Sequence, residues 1–407
     1  MTSSRIKQTF AALSYPNYRL WFIGQVVSLV GTWMQSTAQG YLVYQLTNSP
    51  AFLGYVSFAN GLPVYLFSLY GGVIADRIPR RRMLVITQST MMVLAAILAV
   101  LTFTETVQPW HIIVLAFLLG TANAFDTPAR QSFVAELVDR KDMTNAIALN
   151  STMFNIGTVV GPAFAGLVYA WTGPGWCFTI NAISFIAVIT ALVLMKLSSF
   201  TPTERKLSTG NELKEALQFT WNNKTIRFLF LNLAVIGVFS FSLLALIPAW
   251  AVNILKGDAT TNGWLLSARG AGSLIGALMI ATLGSKGFRG KIWTIGYLVA
   301  PVTLVIFAYI RWLPLSLFML AIVGWALMSS INTTNTLIQS LVSDQLRGRV
   351  MGLYALIFMG GTSLGSLFAG WVADAINEPM TVVIFSGIVF AMAVYSFVFH
   401  PEMRRLN

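Results

Sequence analysis

Gly71-Gly72-Val73-Ile74-Ala75-Asp76-Arg77-Ile78-Pro79-Arg80-Arg81-Arg82 is the stretch on which the reading of this chain turns. A long apolar run precedes it and another follows. One carboxylate and four guanidiniums therefore stand where the chain leaves an apolar medium and turns back into it. Charges are costly in hydrocarbon, so the stretch reads as a loop between two membrane spans. Basic residues in short loops also set orientation, because they stay on the cytoplasmic side.

The same pattern extends outward over the whole chain. Of 407 residues, 56% are hydrophobic and 10% charged, against about 25% charged in a soluble domain. Twelve apolar spans are predicted, at 20–46, 51–75, 83–104, 110–134, 146–170, 175–196, 227–254, 262–284, 292–310, 314–340, 350–373 and 380–399. Spans of about twenty residues cross a hydrocarbon core of roughly 30 Å. They are continuously apolar, which predicts helices; barrel strands alternate every second residue. The expected fold class is an all-α polytopic membrane protein.

With the N-terminus placed in the cytoplasm, twenty-three of the 26 Lys and Arg residues fall on that side. Lys256 and Arg311 fall outside, and Arg269 lies within a span. The net charge of +12 is thus an orientation signal, and no nucleic-acid partner is expected. An even number of spans returns both termini to the cytoplasm. No brief apolar core followed by a small-residue cleavage site opens the chain, so the first span is expected to serve as the targeting signal. Cys177 is alone, which excludes an intramolecular disulfide and a cysteine metal cluster. His111 and His400 lie far apart, and no metal site is expected. There is no phosphate-binding glycine loop followed by Lys-Ser/Thr, so neither ATP nor another cofactor is expected.

Composition breaks most sharply at residues 197–226. The predicted organisation is a six-helix bundle over 1–196, a linker over 197–226 and a second six-helix bundle over 227–407. In the linker, Leu213, Ala216, Leu217, Thr220 and Trp221 share one helical face, which suits either an interfacial helix or a solvated one. An internal repeat supports two bundles. Gln131-Ser132 matches Gln339-Ser340, and Gly161–Leu167 matches Gly365–Trp371, at offsets of 208 and 204. Two such halves normally enclose a site near the bilayer midplane.

The loop, the span count, the linker and the repeat together resemble the major facilitator superfamily, whose signature loop reads roughly G-x-x-x-D-R-x-G-R-R-[KR]. Gly72, Asp76, Arg77, Arg81 and Arg82 match it, and Pro79 replaces the usual glycine. The resemblance implies two six-helix bundles with a cytoplasmic gate. In that gate Asp76 meets the N-terminal end of the eleventh span, near Arg349-Val350-Met351. Setting topology is the plainer role of the same charges. The corresponding second-half stretch, Gly276 through Lys286, has no aspartate, so the gate is expected to be asymmetric.

Gly157, Gly161, Pro162 and Gly166 in the fifth span resemble the superfamily's antiporter motif; a small-residue packing face would look similar. Asn123 through Ser132 resembles a hallmark of the branch exporting drugs, siderophores and macrolides. Within it Asp126 and Arg130 stand four apart on one helix face. They form either a permanent clamp or a proton relay. Arg269 either snorkels to the outer interface or faces the cavity to meet an anionic group. Gln35, Gln39, Asn123, Asn155, Asn232, Asn332 and Asn335 line the cavity or bond between helices.

The expected function is secondary active transport, not enzymatic catalysis: proton-coupled efflux of a hydrophobic or amphiphilic small molecule by alternating access. The expected partners are that substrate, protons and membrane lipids. The expected setting is a bacterial inner membrane, with the protein a monomer. The rivals are a lipid or lysolipid transporter, an importer, a receptor or scaffold, and a polytopic membrane enzyme.

Overall fold

The computed structural model describes residues 10–197, 209–283 and 288–406. Arg5, Lys7, the linker over 198–208 and Lys286 lie outside the described residues, as do the side chains of Asp76 and Leu213. The first bundle comprises α1 (Pro16–Thr47), α2 (Pro50–Arg77), α3 (Arg80–Phe103), α4 (Pro109–Leu137), α5 (Met143–Thr172) and α6 (Pro174–Leu194). A linker helix, α7 (Thr209–Asn222), follows. The second bundle comprises α8 (Lys224–Ile254), α9 (Ala259–Leu283), α10 (Arg289–Tyr309), α11 (Leu313–Leu341), α12 (Asp344–Ala375) and α13 (Glu378–Phe399).

Eleven of these helices are long and apolar enough to cross a membrane. The remaining predicted span, 20–46, corresponds to α1, which has 32 residues. At 1.5 Å per residue that is about 48 Å, ample for a bilayer. Its lower hydropathy comes from Gln25, Ser28, Gln35, Thr37 and Gln39, all buried against neighbouring helices. A buried polar group costs little where a protein partner supplies its hydrogen bond, as Asn181 does for Gln35 at 2.6 Å.

Several helices start with proline in the first turn, among them α1, α2, α4, α6, α11 and α13. The missing N–H falls where a helix has no partner for it, and the fixed φ suits the first turn. Gly173, at φ 88°, makes the tight joint between α5 and α6, a backbone that side-chain-bearing residues adopt at a cost.

Helix α8 is one span, as its sequence predicts, but not one regular α-helix. An α-helical start, Lys224–Ile236, gives way to π turns at Gly237–Phe241 and Trp250–Ile254. Between them lie a tighter turn, Ser242–Leu246, and one short α segment holding Pro248. Pro248 cannot donate to the preceding turn, and π turns are frequent at functional positions.

The near end of the molecule holds Ala12, the start of α1 and the C-terminal turn at Met403. The far end holds exposed indoles at Trp110, Trp171, Trp176, Trp264, Trp312 and Trp371. Rings of this kind gather where a bilayer meets water. One apolar core runs from Ala216 and Ile226 to Met403, and two others lie mainly within α1–α6.

Candidate transport site

The bundles meet along two helix pairs. Helices α2 and α12 touch at the far end, where a Cβ on Gly54 would lie 2.7 Å from the Ser366 carbonyl oxygen. Toward the middle, Gly61 faces Ser363 and Gly360 faces the Tyr65 ring. Continuing this antiparallel register puts Gly72 opposite Gly352 and Asp76 opposite Gly348. There the helices have parted: among the described residues, a Cβ added at Gly72, Gly348 or Gly352 would meet nothing within 4 Å.

Helices α5 and α9 repeat the pattern. A Cβ on Gly166 would lie 2.8 Å from the Ala259 carbonyl oxygen, and Gly263 packs on Pro162. Hydrogen bonds between the bundles follow the same line. Ser49 donates to Asp374 at 2.6 Å, Trp371 to the Tyr55 hydroxyl at 3.0 Å, Ser267 to the Val159 carbonyl at 2.6 Å and Thr260 to the Gly166 carbonyl at 3.4 Å. The far end is thus closed, while α2 and α12 diverge toward the near end.

Helix α5 owes both of its contacts to the small residues singled out in sequence. Gly157 and Gly161 admit Trp33 of α1; a Cβ on Gly161 would come 2.5 Å from the Trp33 Cβ. Pro162 and Gly166 meet α9 instead. One stripe therefore anchors α5 within its own bundle and forms the contact with the other.

Asp126 is 2% exposed. The Thr87 hydroxyl and the Gln88 amide of α3 each donate to its Oδ1 at 2.8 Å. Arg130 Nε stands 3.6 Å from its Oδ2. Both carboxylate oxygens are thus engaged, and they tie α3 to α4 inside the first bundle. Thr87 and Gln88 carried no signal in sequence, since polar residues one helix away meet Asp126 only in three dimensions.

In the signature loop, Arg80 pairs with Glu136. Arg81 donates to the carbonyls of Val193 at 2.6 Å and Met195 at 3.2 Å. It caps the end of α6, where unpaired carbonyls gather partial negative charge. Arg77 and Arg82 are exposed. Arg349, at the start of α12, pairs with Glu215 of α7. Ala216 and Thr220 of α7 turn inward, whereas Leu217 and Trp221 remain exposed, so the face predicted in sequence divides between protein and surroundings. Outside the spans, the hydroxyl of Tyr15 donates to Asp142 and Asp139. Those bonds, the one to Asp142 foremost, hold the phenol above its usual range.

The polar candidates divide. Gln35 accepts from Asn181 of α6 at 2.6 Å, and Asn232 accepts from Ser396 of α13 at 3.0 Å, so both bond between helices. Asn155 donates to Ser151 on its own helix, and Asn335 accepts from Gln339. Gln39 is buried, and Asn123 and Asn332 are half-buried.

Arg269 is 9% exposed, and its Nε has no hydrogen-bond partner. Its guanidinium lies 6.0 Å from the centre of the Phe241 ring on α8. A cation over an aromatic ring gains about 0.5–2 kcal/mol. An arginine at mid-bilayer costs about 2.5–3.5 kcal/mol even on the lenient scale, so the ring alone does not offset the charge. The exposed Trp264, Ile275 and Leu278 lie on the other side of α9. Arg269 thus points into protein and away from lipid.

Two bundles of membrane helices, joined tightly at the far end with α2 and α12 diverging toward the near end, have the architecture of a secondary transporter. The model for transmembrane secretion effectors of the major facilitator superfamily matches residues 7–406. The chain belongs to that family, in the branch of drug, siderophore and macrolide exporters. It is 28% identical over 376 residues to the multidrug efflux pump Tap of Mycolicibacterium fortuitum, covering 90% of this chain and 91% of that one. It is 27% identical over 385 residues to the staphyloferrin A transporter of Staphylococcus aureus, covering 93% and 95%. Its fold matches the inward-facing, unoccupied structure of a bacterial homologue of the human lysosomal transporter Spinster. The TM-score is 0.72 at 14% identity, covering 97% of this chain and 95% of that one.

Proposed function

We propose that this protein exports a hydrophobic or amphiphilic small molecule across a bacterial cytoplasmic membrane in exchange for protons. The observation that carries the reading is the one-sided contact of α2 with α12, tight at Gly54–Gly370 and parted at Gly72 and Gly352. The near end carries most of the basic residues and is read as cytoplasmic, which makes this the inward-open state. Relatives named for multidrug efflux and for staphyloferrin A support small-molecule cargo.

In this reading residues 1–196 and 227–407 rock against each other about the 197–226 linker. Closure of the near end brings Gly72 onto Gly352 and Asp76 onto the start of α12, where the helix end favours a carboxylate. Asp126 and Arg130 act as a clamp that keeps α3 and α4 together through the cycle. Helix α7 lies at the membrane surface, with Leu217 and Trp221 toward lipid.

The test is proton flux in proteoliposomes of known orientation, with macrolides, tetracyclines and siderophores as cargo. The expected result is proton movement opposite in direction to cargo, starting from the face that bears the near end. Protons moving with cargo would make the protein an importer. Flux with lysolipid alone would give it a lipid cargo, and the absence of coupled flux with every cargo would refute the reading.

A further inference from the structure

We propose that Arg269 is an oxyanion anchor and that the cargo includes organic anions whose carboxylate, or an equivalent oxyanion, docks on it. This deepens the exporter reading and rests on it. Arg269 stands ten residues from the start of α9 and fourteen from its end, about 15 Å in from the far end and so near the bilayer midplane. Its guanidinium is buried, and among the described residues no carboxylate lies within ion-pair distance. The other buried acids near the bundles' interior are already engaged. Asp126 is held by Arg130, Thr87 and Gln88, and Glu378 accepts from Asn253 at 2.6 Å.

The surroundings suit a ligand with both an anionic and an apolar part. Phe241, under the guanidinium, packs edge-on against Phe358 of α12 at 5.3 Å, so an aromatic floor adjoins the charge. Two turns away on the same face of α9, Asn262 is 1% exposed, and both of its carboxamide atoms lack partners. A second polar group of the ligand reaches it about 10 Å from the first. The next residue, Gly270, packs on the Thr158 backbone of α5, which places the anchor at the seam between the bundles, where a bound ligand senses both halves. A guanidinium offers a planar pair of N–H donors that matches a carboxylate in two parallel bonds, which an ammonium cannot do.

The experiment uses the full chain in phosphatidylcholine nanodiscs and two dyes on one xanthene body: anionic fluorescein and a cationic rhodamine ester. Fluorescein binding should weaken at least tenfold in Arg269→Gln and recover in part in Arg269→Lys, while rhodamine binding stays unchanged. Three outcomes overturn the proposal: no fluorescein binding by the unaltered chain, equal fluorescein affinity in Arg269→Gln, or equal loss of both dyes. Adding phosphatidylglycerol separates the possible sources of the anion. Undisturbed fluorescein binding supports a soluble cargo, and displacement assigns the anchor to a lipid headgroup and overturns the cargo claim. In proteoliposomes, loss of fluorescein efflux alone in Arg269→Gln supports the proposal. Arg269-dependent binding without efflux of either dye would instead sink the exporter reading and leave the anchor standing.

Discussion

At the scale of single residues, Asp126 shows how a buried carboxylate is kept in a membrane helix. It accepts two hydrogen bonds from α3 and faces Arg130 one turn along α4. Asp126→Ala strands the Gln88 donor, leaves the Thr87 hydroxyl only the Leu84 carbonyl, and leaves Arg130 without its carboxylate. A loss of about 1–3 kcal/mol is expected, read as a lower melting temperature in nanodiscs. Asp126→Asn keeps an acceptor for Thr87 and Gln88 and should lose less. On the clamp reading its transport retains the pH profile of the unaltered chain; a shifted profile would instead make Asp126 the proton carrier. Glu402 gives a pH dependence of known sign. Its own backbone N–H and then His400 hold its carboxyl below the usual range. The folded value lies below the unfolded one, so these contacts support the C-terminal turn above the ordinary carboxylate range near ~4.3. The support is lost as pH falls through the folded value. The protection factor for amide exchange over 402–405 should fall on acidification, and Glu402→Gln should make that protection factor insensitive to pH.

At the scale of elements, α5 and α9 make the contact most sensitive to side-chain size. Gly166 leaves no room for a larger residue against Ala259 and Thr260. Gly166→Val should force the far end apart by overpacking, at about 1–3 kcal/mol. That shifts the balance between closed and open far ends by about 5- to 150-fold, measurable as the spin-label distance between the far ends of α5 and α9. An unchanged distance distribution would mean that this glycine sets packing only. Helix α8 marks where element-level reading in sequence fell short. Its apolar run was legible, but its π turns lie where Gly237 packs on α12 and Pro248 packs on α1. Hydropathy has no term for that fit.

At the scale of the whole molecule, the two seams make one prediction that local stability does not anticipate. Gly352 faces open space in the structure. Gly352→Trp should therefore change the stability of this state by no more than about 0.5 kcal/mol, as at exposed sites. It should nevertheless stop transport, because the ring would occupy the space into which α2 must close. Transport at the unaltered rate, with folding intact, would refute closure along this register. A gating partner for Asp76 is what the family resemblance implies. Contacts alone fix the antiparallel register Gly54–Gly370, Gly61–Ser363 and Tyr65–Gly360, and extending that register toward the near end is what the Gly352→Trp experiment tests.

Much of this protein was decided along the chain itself. Apolar runs set the number of helices, because a bilayer accepts only segments that satisfy their own backbone. The loop Gly71–Arg82, with the basic loops after it, carries an orientation signal because charge partitions to water. The spacing of Asp126 and Arg130 put them on one face because a helix repeats every 3.6 residues. What tertiary structure alone decided is every relation between helices. It gave Asp126 its partners Thr87 and Gln88, and it gave Arg81 the end of α6 to cap. It also closed the far end, parted α2 from α12 toward the near end, and left Arg269 buried over Phe241 with no acid at ion-pair distance among the described residues. Those facts depend on which faces meet after packing. Hydropathy and spacing describe each helix alone, so they carry no information about the neighbour.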